Sequence, residues 1–205
     1  MKKIIISIDG PAASGKGRIA KYISRKWKFK HLDSGVIYRR LAFILIKNKI
    51  NHKSKKQLKK MINLKGTITY RKSQSLRSEK VSKVASEIAI HGFVRDYVNR
   101  IQRKIVNFNL NNKSFVVDGR DIGSVVFKNS DLKLYIDVSE ENRAKRRYKQ
   151  LIDNGEKSIY PQILKDIKLR DKKDKLRKNS PLLIPKGASI IDNNGKFKKT
   201  ILQIN

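Results

Sequence analysis

The chain has 205 residues, which is the length of one domain or of one domain with an inserted subdomain. It contains no cysteine, so disulfide bonds, thiolate catalysis and cysteine-zinc sites are excluded. Its 50 lysines and arginines against 17 aspartates and glutamates give a net charge of +33, which would attract any polyanion. The basic residues are scattered over every segment without a basic-aromatic recognition motif, so we favour compositional drift over nucleic-acid binding as the origin of the charge.

The first elements in chain order are a strand, a glycine-rich loop and a helix. Residues 3–8 (KIIISI) are apolar and β-branched, which is typical of a buried strand. This run ends at Asp9, so it is too short for a secretory signal or a membrane span. A helix is predicted from about residue 15 to residue 27, because Ile19 and Ile23 recur at helical spacing.

Strands and helices alternate along the rest of the chain. Helices are predicted over residues 36–49, 81–88, 94–105, 139 to about 155, 161–177 and 196–203, with an ambiguous one over 55–62. Strands are predicted over residues 114–119, 132–138 and 188–193. This alternation predicts an α/β fold whose parallel sheet is covered by helices on both faces, and the polar stretch 51–80 is the expected insertion.

The loop GPAASGKGR (10–18) contains a phosphate-binding motif. Gly10, Gly15 and Lys16 satisfy G-x-x-x-x-G-K between a predicted strand and a predicted helix, which disfavours an ordinary strand-helix turn. Backbone N–H groups and the helix dipole can surround phosphate oxygens there, and Lys16 would contact the β- and γ-phosphates. Gly17 stands where many such loops carry a Mg²⁺-binding hydroxyl, so the metal must be held differently.

Two further clusters lie near strand ends. In HLDSGVIYRR (31–40), Asp33 and Ser34 offer either ligand hydrogen bonds or a plain helix N-cap. In FVVDGRDIG (115–123), Asp118 ends an apolar strand, where a magnesium-organising carboxylate of phosphate-loop proteins stands. The following residues would face the carboxyl edge of the sheet, which is where doubly wound sheets bind ligands, although a charged surface turn is the alternative.

The third cluster is LRDKKDKLRKN (169–179). Arg170, Asp174 and Arg177 share one helix face at spacings of four and three residues. The arginines could grip a phosphate or a base, and the aspartate could accept from ribose hydroxyls. Taken alone, this pattern favours a solvated face of salt bridges.

Together these motifs resemble bacterial cytidylate (CMP) kinase, a nucleoside monophosphate kinase family. The family carries G-P-x-x-x-G-K-G-T, L-D-S-G-x-x-Y-R, D-G-R-D-x-G, E-x-R-A-x-R-R and R-D-x-x-D-x-x-R. This chain has GPAASGKGR, LDSGVIYR, DGRDIGSVVF, ENRAKRR and LRDKKDKLR in the same order over nearly its whole length. The resemblance implies one kinase domain (1–205) with a P-loop parallel sheet, a small, mainly helical NMP-binding subdomain at about 35–110 and a short lid at about 140–160.

The resemblance further implies ATP-dependent phosphorylation of CMP and dCMP with Mg²⁺, by a cytoplasmic monomer that needs neither membrane nor specific nucleic acid. ATP would be held by Gly10, Pro11, Ala12, Ala13, Ser14, Gly15, Lys16, Gly17 and Arg18. CMP would be held by Arg39 and Arg120 at its phosphate, by Ser34, Arg95, Asp121 and Arg177 at cytosine, and by Ser86, Arg170 and Asp174 at ribose. The catalytic residues would be Lys16, Arg120, Arg143 and Arg147, the last two from the lid, and Asp118 would organise Mg²⁺ through water.

The chain departs from the family pattern at three places. Arg18 replaces a threonine, and we expect its side chain to point to phosphate or solvent. The segment between Leu64 and Val81 is short, so GTITYRKSQS (66–75) could retain only a remnant of a small sheet, and the last helix is clipped at Asn205. The alternative function is a degenerate phosphate-loop protein that binds nucleic acid through its charge. A kinase for UMP or AMP is disfavoured by LDSG, DGRD and RDKKD together.

Overall fold

The computed structural model describes residues 2–65, 70, 74–108, 113–153 and 155–205. Within these residues, five strands form one sheet in the order β2-β3-β1-β4-β5. The pairs β1–β3, β1–β4 and β4–β5 are parallel. The strands are Ile5–Asp9 (β1), Lys30–Asp33 (β2), Phe115–Asp118 (β3), Leu132–Asp137 (β4) and Ser189–Asp192 (β5). The predicted parallel α/β sheet is thereby confirmed. The extended segment that leads into the LDSG motif is β2, a strand that was not among the four predicted.

Helices connect these strands, as the alternation predicts. They are Lys16–Lys26 (α1), Ser34–Lys47 (α2), Lys55–Lys65 (α3), Glu79–Ile88 (α4), Gly92–Asn107 (α5), Glu140–Asp153 (α6), Tyr160–Leu176 (α7) and Phe197–Leu202 (α8). A 3₁₀ turn spans Gln74–Arg77 and a π turn spans Ile122–Val126. The hydroxyl of Ser139 accepts a hydrogen bond from the N–H of Asn142, so it caps the start of α6. Among the described residues, no helix has the length and apolar character needed to cross a bilayer.

The strands align their carboxyl ends at one edge of the sheet. Ile8 of β1 is paired with Asp118 of β3 and with Leu134 of β4, so Asp9 and Asp118 both end at this edge. Ile8 is fully buried because both faces of the central strand are covered, which explains the unbroken apolar run in its sequence. The sheet therefore presents polar residues of neighbouring strands side by side.

The chain forms two compact units, which comprise residues 1–31 with 113–205, and residues 32–112. The first contains an apolar core in which β1, β3, β4 and β5 pack against α1. In the second, α2 packs on α4 and α3 packs on α5. The predicted sheet remnant in 66–75 falls mainly on residues 66–69 and 71–73, which lie outside the described residues.

Candidate active site

The phosphate-loop motif forms a tight turn between β1 and α1. Gly10 has a φ angle of +148°, and a Cβ there would lie 2.6 Å from the carbonyl oxygen of Ile136. Gly15 has a φ angle of +85°, and a Cβ there would lie 2.6 Å from Nδ2 of Asn193. Larger residues would be strained at both positions and would displace these neighbours. The two glycines therefore let the loop approach the edge of the sheet closely.

Asn193, just after β5, connects this loop to helix α8. Its Nδ2 donates to the carbonyl oxygen of Ser14 at 2.7 Å, and its Oδ1 accepts from Oγ1 of Thr200 at 2.7 Å. Both side chains are buried. Sequence reasoning gave Asn193 no role, although its place at the carboxyl end of a parallel strand was a usable signal.

Lys16 begins α1, and its side chain turns back over the loop. Its Nζ donates to the carbonyl oxygen of Pro11 at 2.7 Å and to Oγ of Ser14 at 3.2 Å. Burial, and next the charge of Arg120, lower the pKa of Lys16 well below its ordinary value, against the opposite effect of three nearby aspartates. An arriving polyphosphate would stabilise the ammonium form, which makes this a site that favours anions.

Asp9 links the strand before the loop to the DGRD motif. Its two carboxylate oxygens accept from the backbone N–H groups of Ile122 and Gly123, each at 2.7 Å. Burial raises the pKa of Asp9 to about 6, although these two hydrogen bonds oppose the change. The carboxylate fixes the turn directly after Arg120 and Asp121, a function that the sequence analysis missed.

Asp118 occupies the end of β3 beside this turn. Its Oδ1 lies 2.6 Å from Nε2 of His31, and both side chains are nearly buried. Among the described residues, no group of three or more metal-binding side chains occurs. One carboxylate near a triphosphate still fits Mg²⁺, because this ion keeps several waters and takes few protein ligands. Oδ2 of Asp118 is the oxygen that could accept from a metal-bound water.

Arg120 and Arg177 converge on the carboxylate of Asp174. Nε of Arg120 lies 3.0 Å from Oδ2, and NH1 of Arg177 lies 3.1 Å from Oδ1. Burial would raise the pKa of Asp174, but the charges of Arg120, Arg177 and Arg170 outweigh it and lower that pKa. Asp174 is buried and the side chain of Arg177 is 6% exposed, so this face carries the salt bridges that the pattern suggested but is not solvated there. The structure instead joins the DGRD and RDKKD motifs.

Four residues expected to bind CMP belong to the unit 32–112. Ser34 is buried at the start of α2, and Ser86 is half-buried on α4. NH2 of Arg39 pairs with Oδ2 of Asp33 at 3.0 Å, so Asp33 serves this arginine and makes no side-chain cap. Arg95 is buried, and its NH1 donates to a carbonyl oxygen at 3.2 Å.

The two arginines expected in the lid have different surroundings. Arg143 is 2% exposed, and its three nitrogens bond to two carbonyl oxygens and to the carboxylate of Asp171. Arg147 is half-buried, and its NH1 donates to Oε1 of Gln150 at 3.0 Å. Arg143 is therefore enclosed by protein groups.

Arg18 stacks on an aromatic ring. Its guanidinium carbon lies 3.9 Å from the ring centroid of Phe197 on α8, although the residue as a whole is exposed. Its exposure agrees with the expectation that it points to phosphate or solvent, and the contact with Phe197 is an addition that the sequence did not show. Cation–π contacts at exposed sites are worth about 0.5–1 kcal/mol.

Comparison with known proteins extends the family resemblance. The family model for cytidylate kinase matches residues 6–204. Similar curated proteins include the cytidylate kinase of Rickettsia bellii, which is 40% identical over 94% of this chain and 86% of its own length. That of Fusobacterium nucleatum is 38% identical over 89% of this chain and 86% of its own length. A crystal structure of an uncharacterized protein from Eubacterium ventriosum has a TM-score of 0.53 at 16% identity, covering 98% of this chain and 96% of that one, so the likeness concerns the fold.

Proposed function

The chain belongs to the cytidylate kinase family, and on this premise we propose that it transfers the γ-phosphoryl group of ATP to CMP and dCMP. An oxygen of the CMP phosphate attacks the γ-phosphorus, the bond to the β–γ bridging oxygen breaks, and ADP leaves. Because the attacking phosphate is already anionic, no general base is needed. The protein has to align two nucleotides and to neutralise the negative charge between them.

The observation that carries this proposal is the link from the phosphate loop to the DGRD motif: Asp9, which directly precedes the loop, accepts hydrogen bonds from Ile122 and Gly123, just after Arg120 and Asp121. Lys16 belongs to the loop that would hold ATP, and Arg120 belongs to the cluster with Asp174 and Arg177 that would hold CMP. Burial, and next the charge of Arg120, lower the pKa of Lys16. A phosphate chain bound at the loop would stabilise the ammonium form of Lys16 against this cost of burial.

We assign the remaining residues from the family motif. Residues 10–18 hold ATP, Arg39 and Arg120 grip the CMP phosphate, and Mg²⁺ would neutralise charge on the ATP phosphates while Asp118 binds one of its waters. The cytosine would be read by Ser34, Arg95, Asp121 and Arg177, and the ribose by Ser86, Arg170 and Asp174. Arg147 is assigned to the transferring phosphate, and Arg143 to the lid framework because it is enclosed.

The subdomain assignments are part of the same proposal. Residues of about 35–110 would bind the monophosphate, and residues of about 140–160 would form the lid that excludes water from the transferring group. A monomeric state and a cytoplasmic location stay predictions from the family resemblance. Binding of nucleic acid has only the net charge in its favour.

The test is an ADP-release assay with CMP, dCMP, UMP and AMP as acceptors. We expect turnover with CMP and dCMP, and much less with UMP, because the carbonyl at C4 of uracil replaces the amino donor of cytosine. Without turnover of CMP or dCMP above background, the proposed function is refuted. A titration of non-specific RNA across salt concentrations tests the alternative, since charge-driven binding weakens steeply with salt.

A further inference from the structure

Asp171 and Arg143 form a buried ion pair between α7 and α6. Oδ2 of Asp171 and NH2 of Arg143 are 2.5 Å apart, and the residues are 3% and 2% exposed. Asp171 lies one helical turn after Ile167, which packs with Ala144 in the apolar contact between the two helices. The pair therefore continues that contact with charged groups.

Arg143 reaches two more segments from the same position. Its Nε donates to the carbonyl oxygen of Val138 at 3.0 Å, just after β4, and its NH1 donates to that of Ala12 at 3.3 Å. Ala12 belongs to the phosphate loop. One planar guanidinium thus joins the phosphate loop, the sheet and α7, and its rigid fork fixes the directions of all three bonds.

This arrangement is poorly explained by stability alone. Among the described residues, Oδ1 of Asp171 is buried without a hydrogen-bond partner. An ionised oxygen in this state is unfavourable, and buried ion pairs are often no more stabilising than apolar residues of similar size. The benefit that the pair does offer is a fixed geometry between α7 and the loop.

We propose that Asp171 is a positioning residue that, through Arg143, sets the distance between the ATP-binding loop and the CMP-binding face of α7. The inference rests on the proposed function, because α7 carries Arg170 and Asp174. In-line transfer is sensitive to such distances, since a misplacement of about 1 Å can lower a rate about 100-fold. Loss of the pair therefore changes the alignment of bound nucleotides more than their binding.

The first test compares Asp171→Asn with Asp166→Asn, the same change on an exposed part of α7 where the carboxylate accepts from Gln162. We expect kcat of D171N to fall about 10- to 100-fold. KM for both nucleotides, and the dissociation constant of ATP measured without CMP, should stay within about three-fold, since no nucleotide contact is removed. A kcat within two-fold of the D166N value overturns the proposal.

A second variant separates alignment from stability. Arg143→Met with Asp171→Leu replaces the pair by apolar groups, which is often neutral or stabilising in a buried site. We expect this double variant to unfold at or above the temperature of D171N but to keep the low kcat. If kcat returns with stability, the pair is only structural and the proposal fails. If the double variant does not fold, the comparison of D171N with D166N decides. Wild-type protein without CMP turnover would refute the proposed function itself.

Discussion

Replacing Asp9 with asparagine tests the buried carboxylate that fixes the turn after the DGRD motif. The carboxyl group of Asp9 is fully buried, and burial raises its pKa from 3.8 to about 6. Because the folded protein binds this proton more tightly than the unfolded chain does, the contribution of Asp9 to stability is largest at low pH and is lost as the pH rises through 6. The shift in pKa corresponds to a loss of unfolding free energy on the order of 3 kcal/mol between pH 3 and pH 7, most of it between pH 4 and pH 6.

The assay is urea unfolding of the wild type and of D9N at half-unit steps from pH 4 to pH 7. Asparagine does not titrate, so the difference between the two unfolding free energies isolates Asp9 from the other ionisable groups. D9N also leaves one of the N–H groups of Ile122 and Gly123 without an acceptor, which adds a pH-independent loss of about 1–3 kcal/mol. The wild-type advantage should therefore shrink as the pH rises. A difference that stays constant within 1 kcal/mol over this range would refute the reasoning.

Three other substitutions test the site. Arg177→Ala leaves Asp174 buried with one partner fewer, so KM for CMP should rise at least about 10-fold more than KM for ATP; equal losses would contradict the assignment. Asn193→Ala removes two buried hydrogen bonds, so unfolding should become easier by about 1–3 kcal/mol and KM for ATP should rise, and an unchanged KM would remove its link to the loop. Arg18→Thr should lower stability by at most about 1 kcal/mol and change kcat by only a few-fold. A rise in kcat by orders of magnitude would instead mean that the arginine damages the loop.

The sequence predicted the parts of the fold that depend on local patterns. The run KIIISI predicted β1, and the motif at its end predicted the turn that Gly10 and Gly15 make possible. Predicted helix bounds lie within a few residues of the observed ones. The second helix begins at Ser34, two residues before the first apolar residue of its pattern, because apolar periodicity marks the buried face of a helix and not its start.

The parts that could not be predicted join residues that are far apart in the chain. Asp9 accepts from Ile122 and Gly123, and the ring beneath Arg18 comes from Phe197. No spacing rule connects such positions, because tertiary packing brings them together. The charged face of α7 was similarly ambiguous, since burial of Asp174 depends on Arg120 from another motif.

The order of the strands in the sheet has a consequence for synthesis of the chain. β1 precedes the other described strands in the chain, yet it lies between β3 and β4, and the loop that follows it is tied at Ser14 to Asn193, 179 residues later. A nascent chain therefore exposes this apolar strand until its partners have been made, and contacts of such long range fold slowly. The residues up to Asn193 must therefore be synthesised before the phosphate loop is held in its folded position.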